Sequence, residues 1–170
     1  MMAKFEIKFD TKQFNKKIQA TEEQIKQGIE QGLKLVASKM KDMEQDIIAN
    51  SPQWTFNKIN KDGSTYEGEP YERTGYLMHS VWIMPLEWSP YGATISVTNV
   101  AKYAIYNELG TGIFASNGDG REEGWFYPIG DGTYRFTIGM PPKFFVRDTR
   151  EFYKDKAPAI IKEQVYKCLR

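Results

Sequence analysis

The chain has 170 residues, 41% of them hydrophobic and 26% charged, with 23 basic against 22 acidic side chains for a formal net charge of +1. That length suits one domain with its own core, here taken as residues 1–170. The charge balance excludes a grip on nucleic acid by broad counterion release, although a local basic face stays open.

The only cysteine, Cys168, and the only histidine, His79, exclude an internal disulfide and a Cys-rich zinc site. Any Ser-His-Asp triad or Cys-His pair would have to use that one imidazole. Cys168 reads as a buried structural thiol. No segment approaches the roughly 20 apolar residues of a membrane span. The opening "MMAKFEIKFD" is charged within four residues and has no apolar signal core, so the site of synthesis is the expected site of folding. An aromatic content of 14% suggests large contact surfaces as well as a core.

In "KFEIKF", Phe5, Ile7 and Phe9 alternate with charged residues at the period of a half-buried strand, and Asp10 then caps the next element. From Phe14, the apolar residues Ile18, Ile25, Ile29, Leu33, Val36, Met40, Met43 and Ile47 step by three, four or seven. That spacing predicts a helix to about Ala49 with a single apolar stripe. Glu22 with Lys26 and Glu30 with Lys34 stand acid-first at i,i+4 on its exposed side. Thr21 to Gln24 has capping-box spacing, which allows a restart there. Gly28 and Gly32 have GxxxG spacing among charges that rule out a membrane motif, and predict close approach of another backbone or a softened helix.

"NSP" at 50–52 stops the helix. Residues 53–73 are polar and turn-rich with interspersed aromatics, a long excursion. "LMHSVWIM" and "ATISVTNV", joined through Pro85, Pro90 and Gly92, predict a hairpin with an irregular loop. A second polar loop covers 113–124. "WFYP" and "TYRFTI" flank "IGDG", whose Asp-Gly step favours a tight hairpin turn. A final helix is expected from about Lys143 to Leu169, kinked or split by Pro158.

Three kinds of chemistry are weighed against plainer readings. Counting from Lys58 as in a calcium loop puts Asn60, Asp62, Gly63 and Glu69 at ligand or turn positions, but a cation in first place repels calcium and Pro70 interrupts the following helix. A solvated turn is favoured there. Glu108, Asp119, Glu122, Glu123 and Asp131, near Trp125, Phe126 and Tyr127, could supply a carboxylate pair and sugar-stacking rings for a carbohydrate-active hydrolase. Most of those acids sit in glycine-rich loops where solvation is the default. No glycine-rich phosphate loop is complete. Trp54, Phe56, Lys58, Lys61 and Tyr66 could stack on nucleic acid, but they serve equally well as anchors at a protein interface, with Phe114 and Trp125 as further candidates. A monomeric aromatic-lined binding module is the remaining alternative.

"TGYLMHS", "YAIYNELGT" and "PPKFFVRDT", in that order after a long helix ending at "SP", resemble the head-tail joining proteins of tailed bacteriophages, the neck or tail-completion family of lambdoid-type siphophages. The resemblance spans most of the chain. It implies a catalytically inactive α+β subunit of a sixfold ring between connector and tail tube or at the tail end, without cofactor or metal. Such a subunit is made in the host bacterial cytoplasm and ends in the virion. By position, Thr74, Gly75, Leu77 and Ser80 would start the first strand of the main sheet. Tyr103, Tyr106, Glu108, Gly110 and Thr111 would form a second signature, and Pro141, Pro142, Phe144 and Phe145 would seat the last helix. Residues 53–73 and 113–124 are insertions relative to that pattern. A near-neutral charge would let DNA pass without sticking.

From the residues themselves, Tyr103 and Tyr106 stand three apart, so one helical turn ended by Gly110 would present an aromatic face inward. Glu108 would point at a backbone N–H or a neighbouring subunit's base, a structural role. The expected fold is α+β: a twisted, mainly antiparallel sheet of four to six strands covered on one face by the first and last helices.

Overall fold

A computed structural model of the protein describes residues 11–52, 58–59, 65–66, 73–128 and 134–170, with side chains for all of these except 11–16, 58–59, 65–66 and 135. The expected strand at Phe5–Phe9, its Asp10 cap, the calcium-like loop, Trp54, Phe56, the Tyr66 side chain and the Asp131–Gly132 turn lie outside the described residues.

Helix α1 spans Thr11–Asn50 without interruption, about 60 Å of rod. The capping-box spacing at Thr21 is not used as a restart. The Thr21 hydroxyl donates to the Lys17 carbonyl at 2.9 Å, the back-bond a threonine makes inside a helix. Of the two acid-first pairs, Glu30–Lys34 closes at 2.6 Å, while Glu22–Lys26 is not an ion pair. The apolar stripe is covered only in the second half of α1. Every residue from Lys17 to Gln27 is exposed, and burial begins at Gly28 and recurs at Gly32, Val36, Ala37, Glu44 and Ile48.

The expected C-terminal helix is divided, as Pro158 foretells, into α4 (Phe145–Lys154) and α5 (Lys156–Cys168). The break at Asp155 leaves the proline in the first turn of α5, where its missing N–H forfeits no helical bond. Helix α5 runs antiparallel along α1. A Cβ on Gly28 would stand 2.5 Å from the Val165 Cα, and one on Gly32 2.7 Å from the Ile161 Cα, so the two glycines let the helix backbones touch. Cys168 is only half-buried, its thiol 3.6 Å from the Gln31 side-chain oxygen, rather than a core thiol.

The α+β class is as expected, but the sheet is not one layer. Among the described residues it consists of five two-stranded antiparallel ladders. β1 (Lys58–Ile59) pairs with β2 (Thr65–Tyr66). β3 (Val81–Ile83) pairs with β6 (Val97–Asn99), and β4 (Glu87–Ser89) with β5 (Gly92–Thr94). These last four strands form one long hairpin. Its register slips by one residue between the Ile83–Val97 and Glu87–Thr94 pairs, beside Pro85, which has no N–H to give a ladder. β8 (Trp125–Pro128) pairs with β9 (Tyr134–Thr137), the hairpin expected around "IGDG". β7 (Thr111–Gly112) pairs with β10 (Gly139–Met140).

Thr74, Gly75, Leu77 and Ser80 do not start a strand. Gly75, at φ 74°, turns the chain into a single helical turn, α2 (Tyr76–His79), and the strand begins only at Val81. The turn drops Leu77 into the core. That core gathers at the C-terminal end of α1 from Ile48, Leu77, Val81, Ala101, Ala104 and Phe145.

Gly32→Ala should gain helix propensity in α1 yet destabilise the protein, by about 1–3 kcal/mol, because the added methyl meets backbone rather than a side chain that can swing away. Urea unfolding of the variant beside an exposed control such as Ser38→Ala measures the difference.

Candidate functional site

The three sequence motifs converge where α1 ends. Helix α3 (Ala104–Leu109) carries Asn107 and Glu108 on its inward side, both buried, with Ala104 beside them. Tyr103 and Tyr106 face outward instead of inward, 42% and 58% exposed. The seam under α3 is too close for rings and admits alanine, an amide and a carboxylate.

Gly110 ends α3 at φ 78°, and a Cβ there would stand within 3 Å of the Phe114 and Met140 carbonyl oxygens and the Pro142 ring. Only glycine satisfies both the backbone angle and the space. Thr111 follows, its hydroxyl accepting the Met140 N–H at 3.0 Å, so the second and third motifs are stitched together here.

Beyond Pro141 and Pro142, the Lys143 N–H donates to the Asn107 carbonyl at 2.8 Å and the Phe144 N–H to the Glu108 carbonyl at 3.3 Å. Phe144 takes a left-handed conformation, φ 51°, and gives α4 no side-chain cap. Glu108 supplies one from 38 residues away. One carboxylate oxygen accepts the Val146 N–H and the other the Arg147 N–H, each at 2.9 Å. Two N–H groups that a helix start leaves open are satisfied by a negative charge at the positive end of the helix dipole. Arg147 lies over the Phe144 ring, its guanidinium carbon 3.3 Å from the ring centroid, and Phe145 fills the core. The expected structural role of Glu108 toward backbone N–H groups is what the geometry shows.

A second acid escaped the sequence reading. Glu44 on α1 is 1% exposed, and among the described residues its Oε2 has no hydrogen-bond partner. Burial, and then the nearby Glu108 charge, push its pKa up to about 7. Its signal was present: Glu44 falls four residues after Met40 and four before Ile48, on the apolar stripe. Thr149 Oγ1, on the α4 face, is likewise buried without a partner.

The end of α1 also went unnoticed in sequence. Arg73, the last residue of the 53–73 excursion, donates to the Ala49, Ser51 and Pro52 carbonyls at 3.0, 2.5 and 2.8 Å. It supplies the cation that the last turn of α1 itself lacks. Beside it opens a groove of about 510 Å³, lined by Arg73, Lys143, Tyr76, Tyr103, Tyr127 and Met140 among others, with no acid among the described residues of its walls. Lys143 forms no ion pair among the described residues. Burial, and then the Arg73 charge, lower its pKa.

The loop acids Asp119, Glu122 and Glu123 are exposed, and Asp131 lies outside the described residues. Among the described residues no group of three or more His, Cys, Asp and Glu side chains could hold a metal ion, and no helix is long and apolar enough to cross a membrane. Of the expected interface aromatics, Phe114 and Trp125 are half-buried. Among the rings that do stand out are Tyr91, Tyr134 and Trp82, to which the sequence assigns no surface, and Phe126, considered there only as a sugar-stacking ring.

Glu108→Gln keeps the shape but turns one acceptor into a donor facing an N–H, so unfolding free energy should drop by about 1–3 kcal/mol. Denaturant titration at neutral pH reads this directly. Because the folded-state pKa of Glu44 is raised, the unfolded chain ionises first. Its contribution to stability is intact below about pH 4.5, declines up to about pH 7 and is flat above that. Glu44→Gln should therefore match the wild type near pH 4.5 and exceed it at pH 8 by on the order of 1–2 kcal/mol, a difference that melting curves across pH will reveal. Compared with known proteins, the chain matches no family model, no curated protein and no solved structure.

Proposed function

We propose that the chain is a structural subunit of a tailed phage, or of a prophage or phage-like particle. It assembles with copies of itself into a ring at the head-tail junction or tail end and joins the connector to the tail tube. It performs no catalysis, and its ring leaves a channel through which DNA passes without specific binding.

The observation that carries this is where the apolar side chains sit. Among the described residues only eight hydrophobics are buried: Val36, Ala37, Ile48, Leu77, Val81, Ala101, Ala104 and Phe145. Twenty large ones are exposed, Trp82, Tyr91, Ile105, Tyr106 and Phe126 among them. Scattered apolar residues are ordinary on a monomer, but an excess of this kind fits a part whose surface is covered by neighbours. Two further points favour it. The motifs that resemble the head-tail joining family meet in one joint: "YAIYNELGT" and "PPKFF" with the residues beside it are tied by hydrogen bonds, and "TGYLMHS" packs Leu77 against Ala104 and Phe145. Both oxygens of Glu108, the leading acid for a hydrolase, are taken up by helix N–H groups.

Negative-stain imaging and light scattering of the purified chain, alone and with connector and tail-tube proteins of the same particle, should show rings. A chain that stays monomeric under every one of these conditions would defeat the proposal, as would strong, salt-dependent affinity for duplex DNA.

A further inference from the structure

Helices α4 and α5 lie along α1 in one antiparallel register. The backbones touch where Gly28 meets Val165 and Gly32 meets Ile161, and further on Ile48 and Phe145 share the core cluster. From Gly32 to Ile48 the chain advances sixteen residues, and from Ile161 back to Phe145 it also counts sixteen, so the break at Asp155 leaves the register intact. Glu44 stands four residues before Ile48 and Thr149 four after Phe145, one turn along each facing stripe. The register therefore sets Glu44 opposite Thr149.

That position is chemically unlike the others. Glycine, isoleucine, valine and phenylalanine make the contacts on either side of it, and here two oxygens meet. Glu44 is 1% exposed and Thr149 0%. Glu44 Oε2 and Thr149 Oγ1 are both cut off from solvent, and neither is hydrogen-bonded to the other or to any other described group. The neighbouring charges do not serve them: Arg147, Asp148 and Arg150 of α4 are exposed, and Glu108 of α3 has both oxygens on helix N–H groups. An orphaned buried oxygen costs a fold about as much as a broken hydrogen bond. Two of them facing each other across a seam have a common remedy in one water, donor and acceptor at once.

We infer that the seam between α1 and α4 is built around one water molecule, held between the Glu44 carboxyl and the Thr149 hydroxyl. The hydroxyl can turn to donate or to accept, so the bridge forms with Glu44 as acid or as carboxylate. Thr149 is the short one of the two buried side chains of α4, Phe145 being the long one that fills the core. The bridge fastens the second turn of α4 to α1, one turn beyond the N–H groups that Glu108 caps. It is independent of the ring-forming role proposed above.

A high-resolution crystal structure of the chain, alone or in its assembly, should show one water within hydrogen-bond distance of both oxygens. A direct bond between Glu44 and Thr149, or a seam without water, would overturn the site. Thr149→Ser, which keeps the hydroxyl, should retain the water and Thr149→Val should lose it; a water that survives Thr149→Val is held by other groups, and the assignment fails. A double-mutant cycle in urea at about pH 5, where Glu44 keeps its proton, gives a second reading. Thr149→Val should lower the folding constant about fivefold on its own and less than about twofold beside Glu44→Met, because replacing both partners by apolar side chains strands no oxygen. Equal losses in the two backgrounds would show that the residues share no partner and would end the inference.

Discussion

The carboxylate of Glu108 on the first N–H groups of α4 is the contact on which the rest of the structure hangs. Helix α4 has no cap of its own: the residue before it is a phenylalanine in a left-handed turn. Without Glu108, two helix-start donors in a partly buried seam would lose their acceptor, each at about the cost of a lost hydrogen bond. Glu108 gives its backbone carbonyl to Phe144 as well, so one residue fixes both the approach to the helix and its first turn. Once α4 is seated there, Phe145 is in the core beside Ile48 and Val81. Helix α5, which starts after a single residue, then runs back along α1.

This arrangement brings a second carboxyl into conflict with the first. Glu44 lies on the α1 face that α4 packs against, buried, and close enough to feel the Glu108 charge. Burial, and then the neighbouring Glu108 charge, raise the pKa of Glu44 to about 7, so it takes up a proton near neutrality. A hydrophobic residue at 44 would avoid the strain. As Glu44 stands, its contribution to stability falls as pH rises through the range in which it ionises.

The long helix was legible in sequence because its apolar residues keep the helical period for more than thirty residues, and the split at Pro158 because a proline has few places to stand. The role of Glu108 was legible in kind, since no partner acid or base accompanied it. Its actual partners are 38 and 39 residues further on, and no local pattern encodes such a distance. Elsewhere local pattern misled. Two tyrosines three apart suggested an inward aromatic face, but the close approach of α3 to α4 selects the small and polar side of that turn. Strand-like stretches suggested one broad sheet, yet Pro85 and a register slip cut the main hairpin into short ladders. Glu44 was hidden by the habit of reading acids as solvated, although its position on the stripe contradicted that habit. Arg73 was hidden because a helix C-terminus accepts its cation from anywhere in the chain.

Helix α1 is a rod about 60 Å long whose buried positions begin at Gly28, so the core and the joint gather toward its C-terminal end. Burial at the C-terminal end fixes the groove, since its walls come from α1, α2, α3 and the segment leading into α4, all tied to the Glu108 joint. The same joint takes up both oxygens of Glu108 and ties α3 to the first turn of α4, so the walls around it share one anchor.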